Sequence, residues 1–386
     1  MRSQITQFET DVRHAFDARL FRAPFSPSLF LLALAGCALF RGGVALIGRL
    51  AGEPYLWQQF VSSFVRNVFP ISPSIVRAKP YLGAELSAPL FALILGLAVV
   101  LWAIFAIAAC RIVAVRLARH ERIGAREALA FSWNTRRSSL AYAATAAFVL
   151  VLFYVGNGAL GLVGLVPTAG PFLILLVLPI AVILSLVFSV FVLGYVGGIG
   201  LATACLATER NGSFDAVSRV FDYLFRQPAY VLFAHVLIVV FAKVLFWAGD
   251  AIFLEVLPAS LTLFAEPEST RGVLDVAIGR PGFDASSLDP AHRLVAGVLW
   301  MAFALMRLGV AAVVVSFVLS ASTFLYFTLR EALDRTTFDD LDRGLRTADM
   351  AMTGMPREDV TESGAPDRAP DVKHAPDQTR DSGSEN

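Results

Sequence analysis

Six long apolar stretches, separated by short polar connectors, dominate the pattern of hydrophobic and polar positions along the chain. An α-helix needs about 20 apolar residues to cross roughly 30 Å of hydrocarbon, and each stretch reaches that length. The pattern therefore predicts an all-α fold, a polytopic transmembrane helix bundle of about six spans. The predicted spans are Leu29–Leu50, Pro89–Val113, Leu140–Val166, Phe172–Thr203, Ala229–Phe253 and Leu294–Leu329.

Polar segments flank this transmembrane domain, which is predicted to occupy residues 29–330. Residues 1–28 form a polar, amphipathic N-terminal arm, and residues 331–349 form a juxtamembrane segment. Residues 350–386 are rich in Pro, Asp, Ser and Arg and contain few aliphatic side chains, so they bury too little apolar surface to fold alone. We expect this C-terminal tail to be disordered.

Two of the connectors have patterns of their own. In Tyr55–Phe69, Trp57, Phe60 and Phe64 fall on one helical face, which predicts an amphipathic helix on the membrane surface. The segment Glu266–Arg293 is polar and acidic, and it is predicted to be a loop.

The composition agrees with an integral membrane protein. Hydrophobic residues make up 56% of the chain, charged residues only 16%, and the mean hydropathy is +0.66. The formal net charge of +1 gives no indication of nucleic-acid binding. Cys37, Cys110 and Cys205 lie in or beside apolar stretches without CxxC spacing, so we interpret them as packing residues and not as disulfide or metal ligands.

Lys and Arg are distributed unequally between the two sides of the predicted bundle. One side, with the N-terminal arm, Arg111–Arg137, Thr208–Pro228 and the start of the tail, carries 18 of these residues, and the other side carries 6. The positive-inside rule then places both termini in the cytoplasm, as expected for a bacterial inner-membrane protein. The polar first 28 residues and the lack of a small-residue cleavage site argue against a removable signal peptide.

A short charged motif occurs twice, 88 residues apart, in Glu121–Leu129 and in Glu209–Val217. Both copies have the pattern Glu-Arg-x-Gly-x-x-acidic-Ala, and Tyr142 matches Tyr230 at the same spacing. The repeat-motif residues are Glu121, Arg122, Gly124, Glu127, Glu209, Arg210, Gly212 and Asp215. We therefore predict an internal repeat in which about 89–166 corresponds to about 172–253.

Each copy of the motif is predicted to begin an amphipathic helix at the membrane interface. Apolar side chains recur with the 3.6-residue period of a helix after each motif glycine. In the second copy, Asp215 with Arg219 and Asp222 with Arg226 have the i, i+4 spacing of ion pairs on an exposed helical face.

The motif glycines suggest where one helix ends and the next begins. Gly124 and Gly212 suit the left-handed position that closes a helix, because glycine has no Cβ. Ser213 suits the N-cap of the helix that follows.

The N-terminal arm carries a shorter match. Leu20–Pro24 reads LFRAP and Leu224–Pro228 reads LFRQP. If this is a third copy, an interfacial helix precedes the first, third and fifth spans, and the sixth span packs against the first. Such parallel repeats are a known construction in transporters.

The order of a long span, the motif, an amphipathic turn ending in Arg-x-Pro and another long span resembles a group of uncharacterised bacterial multi-pass membrane proteins. More loosely, it resembles the membrane domain attached to some glycerophosphodiester phosphodiesterases. Glu209–Pro228 carries the resemblance, with the weaker copy from Glu121. The resemblance implies no established activity. We also expect no phosphodiesterase activity, because no segment outside the spans is long enough to hold a phosphodiesterase catalytic domain.

Four ionisable residues lie within the predicted spans: Arg41, Lys243, Asp250 and Arg307. Such residues are costly in a bilayer and often mark a pathway. Lys243 and Asp250 lie two turns apart on one helical face, so a pair lining a polar cavity is one interpretation. The other is that long side chains snorkel to the interface or pair for structural reasons.

Motifs for chemistry are weak. Gly156–Gly161 matches a dinucleotide motif by letter but lies within a predicted span without a preceding strand. We interpret its glycines, with Gly194, Gly198 and Ala202, as positions of close helix approach. The histidines lack zinc-ligand spacing, and no nucleophile motif is present. The sequence predicts no enzyme, no catalytic residue, no cofactor and no metal.

We therefore expect a non-enzymatic integral membrane protein with a structural, scaffolding or lipid-interacting role. Its expected partners are membrane lipids, with anionic head groups as ligands of the seven arginines between Arg111 and Arg137. Neither a nucleic acid nor a particular protein partner is indicated. The alternative is a transporter or channel subunit whose polar pathway the four ionisable residues of the spans would line.

Overall fold

The computed structural model of the chain describes residues 26–52, 56, 88–119, 121–162, 170–209, 212–252, 256, 260, 268–278, 288–336 and 345. This part is almost wholly helical and contains no strand, which confirms the predicted all-α fold. Its helices are α1 (Pro27–Ala51), α2 (Ala88–Leu101), α3 (Ile107–Arg119), α4 (Ala125–Leu162), α5 (Gly170–Glu209), α6 (Ser213–Arg226), α7 (Pro228–Ala251), α8 (Glu268–Ile278) and α9 (Pro290–Asp334). A π-helical turn, Trp102–Ala106, joins α2 to α3.

Six helical segments of the described part are long and apolar enough to cross a membrane, and they coincide with the six predicted spans. They are α1, the continuous α2–α3 segment, α4, α5, α7 and α9. With 40 and 45 residues, α5 and α9 exceed the thickness of a bilayer, as the sequence predicts. The last span packs against the first, since α9 lies against α1.

Several predicted segments lie outside the described residues. They are the N-terminal arm up to residue 25, the predicted surface helix of Tyr55–Phe69 apart from Leu56, and the C-terminal tail. The prediction of a loop over Glu266–Arg293 is wrong in part, because this segment contains α8. Leu274 and Ala277 of that helix pack against Phe303 of α9. This short apolar stripe stabilises α8 against the bundle.

Helices α3, α5 and α9 pack against one another and form the centre of the bundle. Their buried side chains are mostly small: Ala108, Ala109, Cys110, Ala202, Ala204, Cys205, Ser320, Ala321 and Thr323. Small residues let helix backbones approach closely, which gains van der Waals contact where lipid offers no hydrophobic driving force between helices. Cys110 and Cys205 are free thiols within this packing, as expected.

Glycines bring α6 close to α5. A Cβ at Gly194 would collide with the ring of Phe221, and a Cβ at Gly198 would collide with Val220. The interpretation of these two glycines as positions of close approach is confirmed. The same interpretation is wrong for Gly158, where a Cβ would meet no atom within 4 Å.

The π-helical turn is tied to a helix on each side. A π-turn replaces i→i+4 bonds with i→i+5 bonds and so disturbs the usual pairing of carbonyls. The Ser132 hydroxyl of α4 donates to the Ala103 and Ile104 carbonyls, at 3.1 and 2.5 Å. The Trp102 indole donates to the Thr203 hydroxyl of α5 at 3.1 Å.

The segment after the repeat motif folds differently in the two copies. In the second copy, Pro228 begins α7, and Gln227, with φ −135°, separates it from α6. Proline has no N–H and disfavours a helical residue before it, so the chain bends there. Leu140 occupies the matching position in the first copy and lies inside the uninterrupted α4. The prediction of a separate interfacial helix in the first copy is therefore wrong.

The motif glycines begin helices and do not close them in the left-handed conformation. Gly212 is the N-cap of α6 with φ −65° and ψ 160°, and Gly124 also lacks a positive φ. Their carbonyls accept the backbone N–H of Ala216 and Ala128, the first helical bonds of α6 and α4. Ser213, predicted as an N-cap, is instead a buried residue of the first turn of α6.

Candidate functional site

Glu209, the last residue of α5, lies at the centre of a polar network where α5, α6 and α9 meet. Its Oε1 and Oε2 atoms each lie 3.0 Å from a guanidinium nitrogen of Arg219. The Tyr326 hydroxyl donates to Oε1 at 2.5 Å, and Arg330 forms an ion pair with the same oxygen. Only 10% of the Glu209 side chain is exposed, so these charge-assisted bonds take the place of water.

A second carboxylate, that of Asp334, completes the network. The Tyr223 hydroxyl donates to Asp334 Oδ2 at 2.8 Å, and Arg219 Nη1 lies 3.9 Å from the same atom. Burial raises the pKa of Tyr223 above its usual range, and the hydrogen bond and charge of Asp334 raise it further. The phenol therefore keeps its proton at neutral pH and acts as a donor.

Helical spacing brings these side chains together. On α9, Tyr326, Arg330 and Asp334 follow at i, i+4 and i+8, and on α6, Arg219 and Tyr223 follow at i and i+4, so each set lies on one face. The six residues Glu209, Arg219, Tyr223, Tyr326, Arg330 and Asp334 are called the Glu209 network below. Two arginines face two carboxylates, so the network is neutral and suited to fixing α6 on the bundle.

The sequence identified Glu209 as a motif residue but not its partners. Arg219 was expected to pair with Asp215 on an exposed face, and this is wrong, because Arg219 pairs with Glu209 and Asp334. The other expected pair is confirmed, since Arg226 Nε lies 2.8 Å from Asp222 Oδ1. The i, i+4, i+8 spacing near the end of the last span was the signal available for the α9 residues.

The first copy of the repeat motif makes no such network within the described residues. Glu121, Arg122 and Glu127 are exposed. Phe131 occupies the position that matches Arg219, and its buried ring cannot pair with a carboxylate. Arg210, the remaining motif residue of the second copy, lies outside the described residues.

Arg111 is a fully buried cation of α3. Its guanidinium donates to the Ala207 and Thr208 carbonyls at the end of α5, at 3.0 and 3.5 Å, and to the Leu345 carbonyl at 3.2 Å. It also lies 4.4 Å from the centre of the Phe131 ring. A cation at the C-terminus of a helix is attracted by the negative end of the helix dipole and stabilises the helix. Arg111 is therefore a packing and capping residue, and the expectation that it contacts head groups is wrong.

Other arginines of this connector lie on the surface. Arg122, Arg126 and Arg137 are exposed. The Arg136 guanidinium lies 4.4 Å from the centre of the Trp133 ring, and that ring is 54% exposed. The first turns of α4 thus present a basic, aromatic surface at the end of the bundle that holds the Glu209 network.

The structure brings three of the four intramembrane candidates to one level of the bundle. Arg41 Nη1 donates to the Ala304 carbonyl at 3.4 Å, one turn along α9 from Arg307. Asp250 follows Gly249, which packs against Val310 of α9. Lys243 lies two turns away from Asp250 along α7, nearer the Glu209 network.

Within the described ranges, no group of three His, Cys, Asp or Glu side chains is arranged to hold a metal ion. The polar features of the described residues are thus ion pairs, hydrogen bonds and a basic surface.

No protein-family model matches the chain, and no curated protein or solved structure matches it either. The resemblance to the two groups of membrane proteins stays an expectation.

Proposed function

We propose that this protein is a non-enzymatic integral membrane protein that interacts with lipids. We further propose that the surface formed by Trp133, Arg122, Arg126, Arg136 and Arg137, called the Trp133 surface below, binds anionic head groups. The observation that carries the proposal is the exposed Trp133 ring with the Arg136 guanidinium stacked on it. Indole rings favour the boundary between head groups and hydrocarbon, and guanidinium groups bind phosphate through paired hydrogen bonds. Trp133 precedes Leu140, where the predicted span begins, by about two turns.

The neighbouring charges support this proposal. Arg122, Arg126 and Arg137 are exposed on the same connector. Each basic side chain near an anionic leaflet contributes about 1 kcal/mol of attraction. The first half of α5, Phe172–Val192, is strongly apolar, and its most apolar 18 residues include no buried residue, as expected for a helix surrounded by lipid.

We also propose that α6 lies in the membrane interface. Phe214, Phe221 and Phe225 follow at i, i+7 and i+11, so they share one face of the helix, and Phe214 and Phe225 are 76% and 65% exposed. Ala216 and Val220 are buried on another face. A helix fixed to the bundle by one face and aromatic on the next suits the polar–apolar boundary of a bilayer.

We also propose that the predicted repeat comprises three related units. The central helices α3, α5 and α9 each end at or near an acidic residue followed by arginine, in Glu121–Arg122, Glu209–Arg210 and Asp334–Arg335. The mutual packing of these three helices supports an arrangement around one axis.

Lipid binding is tested with the full chain in nanodiscs that contain phosphatidylcholine with or without phosphatidylglycerol. The double variant Trp133→Ala, Arg136→Gln is compared with the control Phe148→Ala, Arg49→Gln, which removes an exposed aromatic and an exposed arginine elsewhere. We expect the first variant to retain about tenfold less phosphatidylglycerol on purification, measured by mass spectrometry. Equal retention in all three proteins would contradict the proposal.

The proposed orientation, with both ends of the chain in the cytoplasm of a bacterium, is tested separately. Fluorescent and phosphatase reporters fused to each terminus report on which side of the inner membrane they lie. A phosphatase signal at either end overturns the orientation.

Transport is a second candidate, because Arg41 of α1 bonds to the Ala304 carbonyl of α9, one turn from Arg307. This contact supports a polar position within the apolar bundle. The variants Arg41→Cys, Lys243→Cys and Arg307→Cys are probed with water-soluble thiol reagents from either side. Labelling at all three positions supports a continuous aqueous pathway, and protection of all three contradicts it.

A further inference from the structure

Leu345 fixes the chain that follows α9 to the end of the bundle that holds the Glu209 network. Its side chain is fully buried and belongs to the apolar core of the bundle. Its carbonyl accepts a hydrogen bond of 3.2 Å from Arg111, whose guanidinium also lies 4.4 Å from the centre of the Phe131 ring. Residues 346–386 therefore begin beside the first turns of α4.

One stretch of these residues is strongly acidic. Residues 358–371, which lie outside the described residues, contain five carboxylates and one arginine, and their net charge is −4 at neutral pH. The carboxylates are those of Glu358, Asp359, Glu362, Asp367 and Asp371. In the rest of 346–386, four acidic residues balance four basic ones, so the negative charge is concentrated in this one stretch.

The Trp133 surface has the opposite charge and lies at the same end of the bundle. Arg126, Ala130, Trp133 and Arg137 follow at i, i+4, i+7 and i+11, so they share one exposed face of α4. Over residues 121–140, four arginines outnumber two glutamates, which gives a net charge of +2. Electrostatic complementarity of this kind favours the contact of an acidic segment with this face.

The acidic stretch is long enough and close enough to reach this face. Phe131, which contacts Arg111, lies on the opposite side of α4 from Trp133, and a helix is about 10 Å wide. Glu358 is 13 residues beyond Leu345, and a disordered chain of that length, as the sequence predicts here, spans about 20 Å on average. Attachment to the same chain gives an effective concentration in the millimolar range, so weak exposed ion pairs suffice.

We propose that residues 358–371 dock on the Trp133 surface of their own chain and compete there with anionic head groups. This inference rests on the proposed lipid binding of that surface. Carboxylates and phosphates both accept charge-assisted hydrogen bonds from guanidinium groups, so one surface takes either ligand. The acidic stretch thus covers the surface in a membrane poor in anionic lipid, and anionic lipid displaces it.

The test places the photo-cross-linker benzoylphenylalanine at position 130 of the full chain, in nanodiscs of phosphatidylcholine alone. Ala130 is exposed, and its replacement leaves Trp133 and the arginines intact. We expect a cross-link within one chain that mass spectrometry assigns to residues 358–371. The same group at position 148 is the control, because Phe148 is exposed within the predicted span and is expected to form no cross-link to this stretch. A cross-linked dimer, a cross-link only to other residues or none at position 130 overturns the proposal.

Two charge variants test the competition. The first neutralises the acidic stretch with Glu358→Gln, Asp359→Asn, Glu362→Gln, Asp367→Asn and Asp371→Asn. The matched control, with Asp349→Asn, Asp377→Asn, Asp381→Asn and Glu385→Gln, removes the other acidic residues of 346–386 and leaves the stretch unchanged. We expect the first variant to lose the cross-link and to retain about fivefold more phosphatidylglycerol than the parent, while the control retains the cross-link and the parent's lipid content.

Addition of phosphatidylglycerol to the nanodiscs is expected to reduce the parent's cross-link about fivefold. An undiminished cross-link, or equal phosphatidylglycerol in both charge variants, overturns the competition. The failure of this inference differs from the failure of the proposed function. If the acidic stretch does not dock, the cross-link is absent while Trp133→Ala, Arg136→Gln still loses lipid. If the surface binds no lipid, that variant retains as much lipid as the parent while the cross-link persists.

Discussion

Arg219 of α6 and Glu209 of α5 form a bidentate ion pair, in which each carboxylate oxygen lies 3.0 Å from a different guanidinium nitrogen. The pair connects the end of one span to the short helix that follows it. Tyr326 and Arg330 of α9 bind the same carboxylate from the other side. The Glu209 side chain thus fixes α5, the neighbouring α6 and the distant α9, whose Tyr326 is 117 residues away in sequence.

Removal of the Glu209 carboxylate is expected to destabilise the bundle strongly. In Glu209→Ala, Arg219 and Arg330 lose their shared partner, and an uncompensated charge at a largely buried site costs about 3 kcal/mol. Thermal unfolding in detergent, followed by circular dichroism, measures the loss. The control is Asp222→Ala, which breaks the exposed pair with Arg226 and is expected to cost about 0.5 kcal/mol. Equal midpoints for the two variants would show that the network does not hold the helices together.

Arg111 is expected to be irreplaceable by lysine. Its two terminal guanidinium nitrogens donate to the carbonyls of Ala207 and Leu345. The single ammonium nitrogen of a lysine cannot reproduce this pair of separated donors. We expect both Arg111→Lys and Arg111→Met to lower the free energy of unfolding by about 3 kcal/mol. Arg126→Met, at an exposed position of α4, is expected to change it by less than about 0.5 kcal/mol. Wild-type stability in Arg111→Lys would mean that charge alone is required.

Gly198 is expected to tolerate no side chain. In Gly198→Ala the new methyl group meets Val220, so α6 shifts away from α5 or the two side chains strain, at about 1–3 kcal/mol. Gly158→Ala is the matched control in another helix, because its methyl group meets open space and alanine is the better helix former. The control is expected to unfold at the same or a higher temperature than the parent. A destabilised control together with an unaffected Gly198→Ala would contradict the packing of α6 on α5.

Ser132 is expected to stabilise the π-helical turn. Ser132→Ala removes a buried donor from the Ala103 and Ile104 carbonyls, and a buried carbonyl without a partner costs about 1–3 kcal/mol. Faster amide hydrogen exchange in Trp102–Ala106 is expected as well. Ser189→Ala is the control, because that hydroxyl is exposed and donates to the Ser185 carbonyl one turn earlier in the same helix. If exchange in the turn is unchanged, Ser132 does not support it.

The sequence by itself determined that this chain is helical and has six segments long and apolar enough to cross a membrane. Length and apolarity suffice for this, because each backbone group in hydrocarbon must bond within its own helix. Local chemistry explains why three helices start at Pro27, Pro228 and Pro290, since proline has no N–H to donate and the first turn of a helix needs none. The contact between the first and last spans agrees with the expectation that was drawn from a third copy of the motif.

The tertiary structure alone decided which charged residues meet. Glu121 and Glu209 stand in the same motif, yet within the described part of the chain only Glu209 pairs with an arginine, because Phe131 replaces the matching Arg219. The partners Tyr326 and Arg330 are more than 100 residues away, and helical periodicity does not specify which helix faces which. Long-range pairing depends on the packing of small residues in α3, α5 and α9, which sets the distances between the helices.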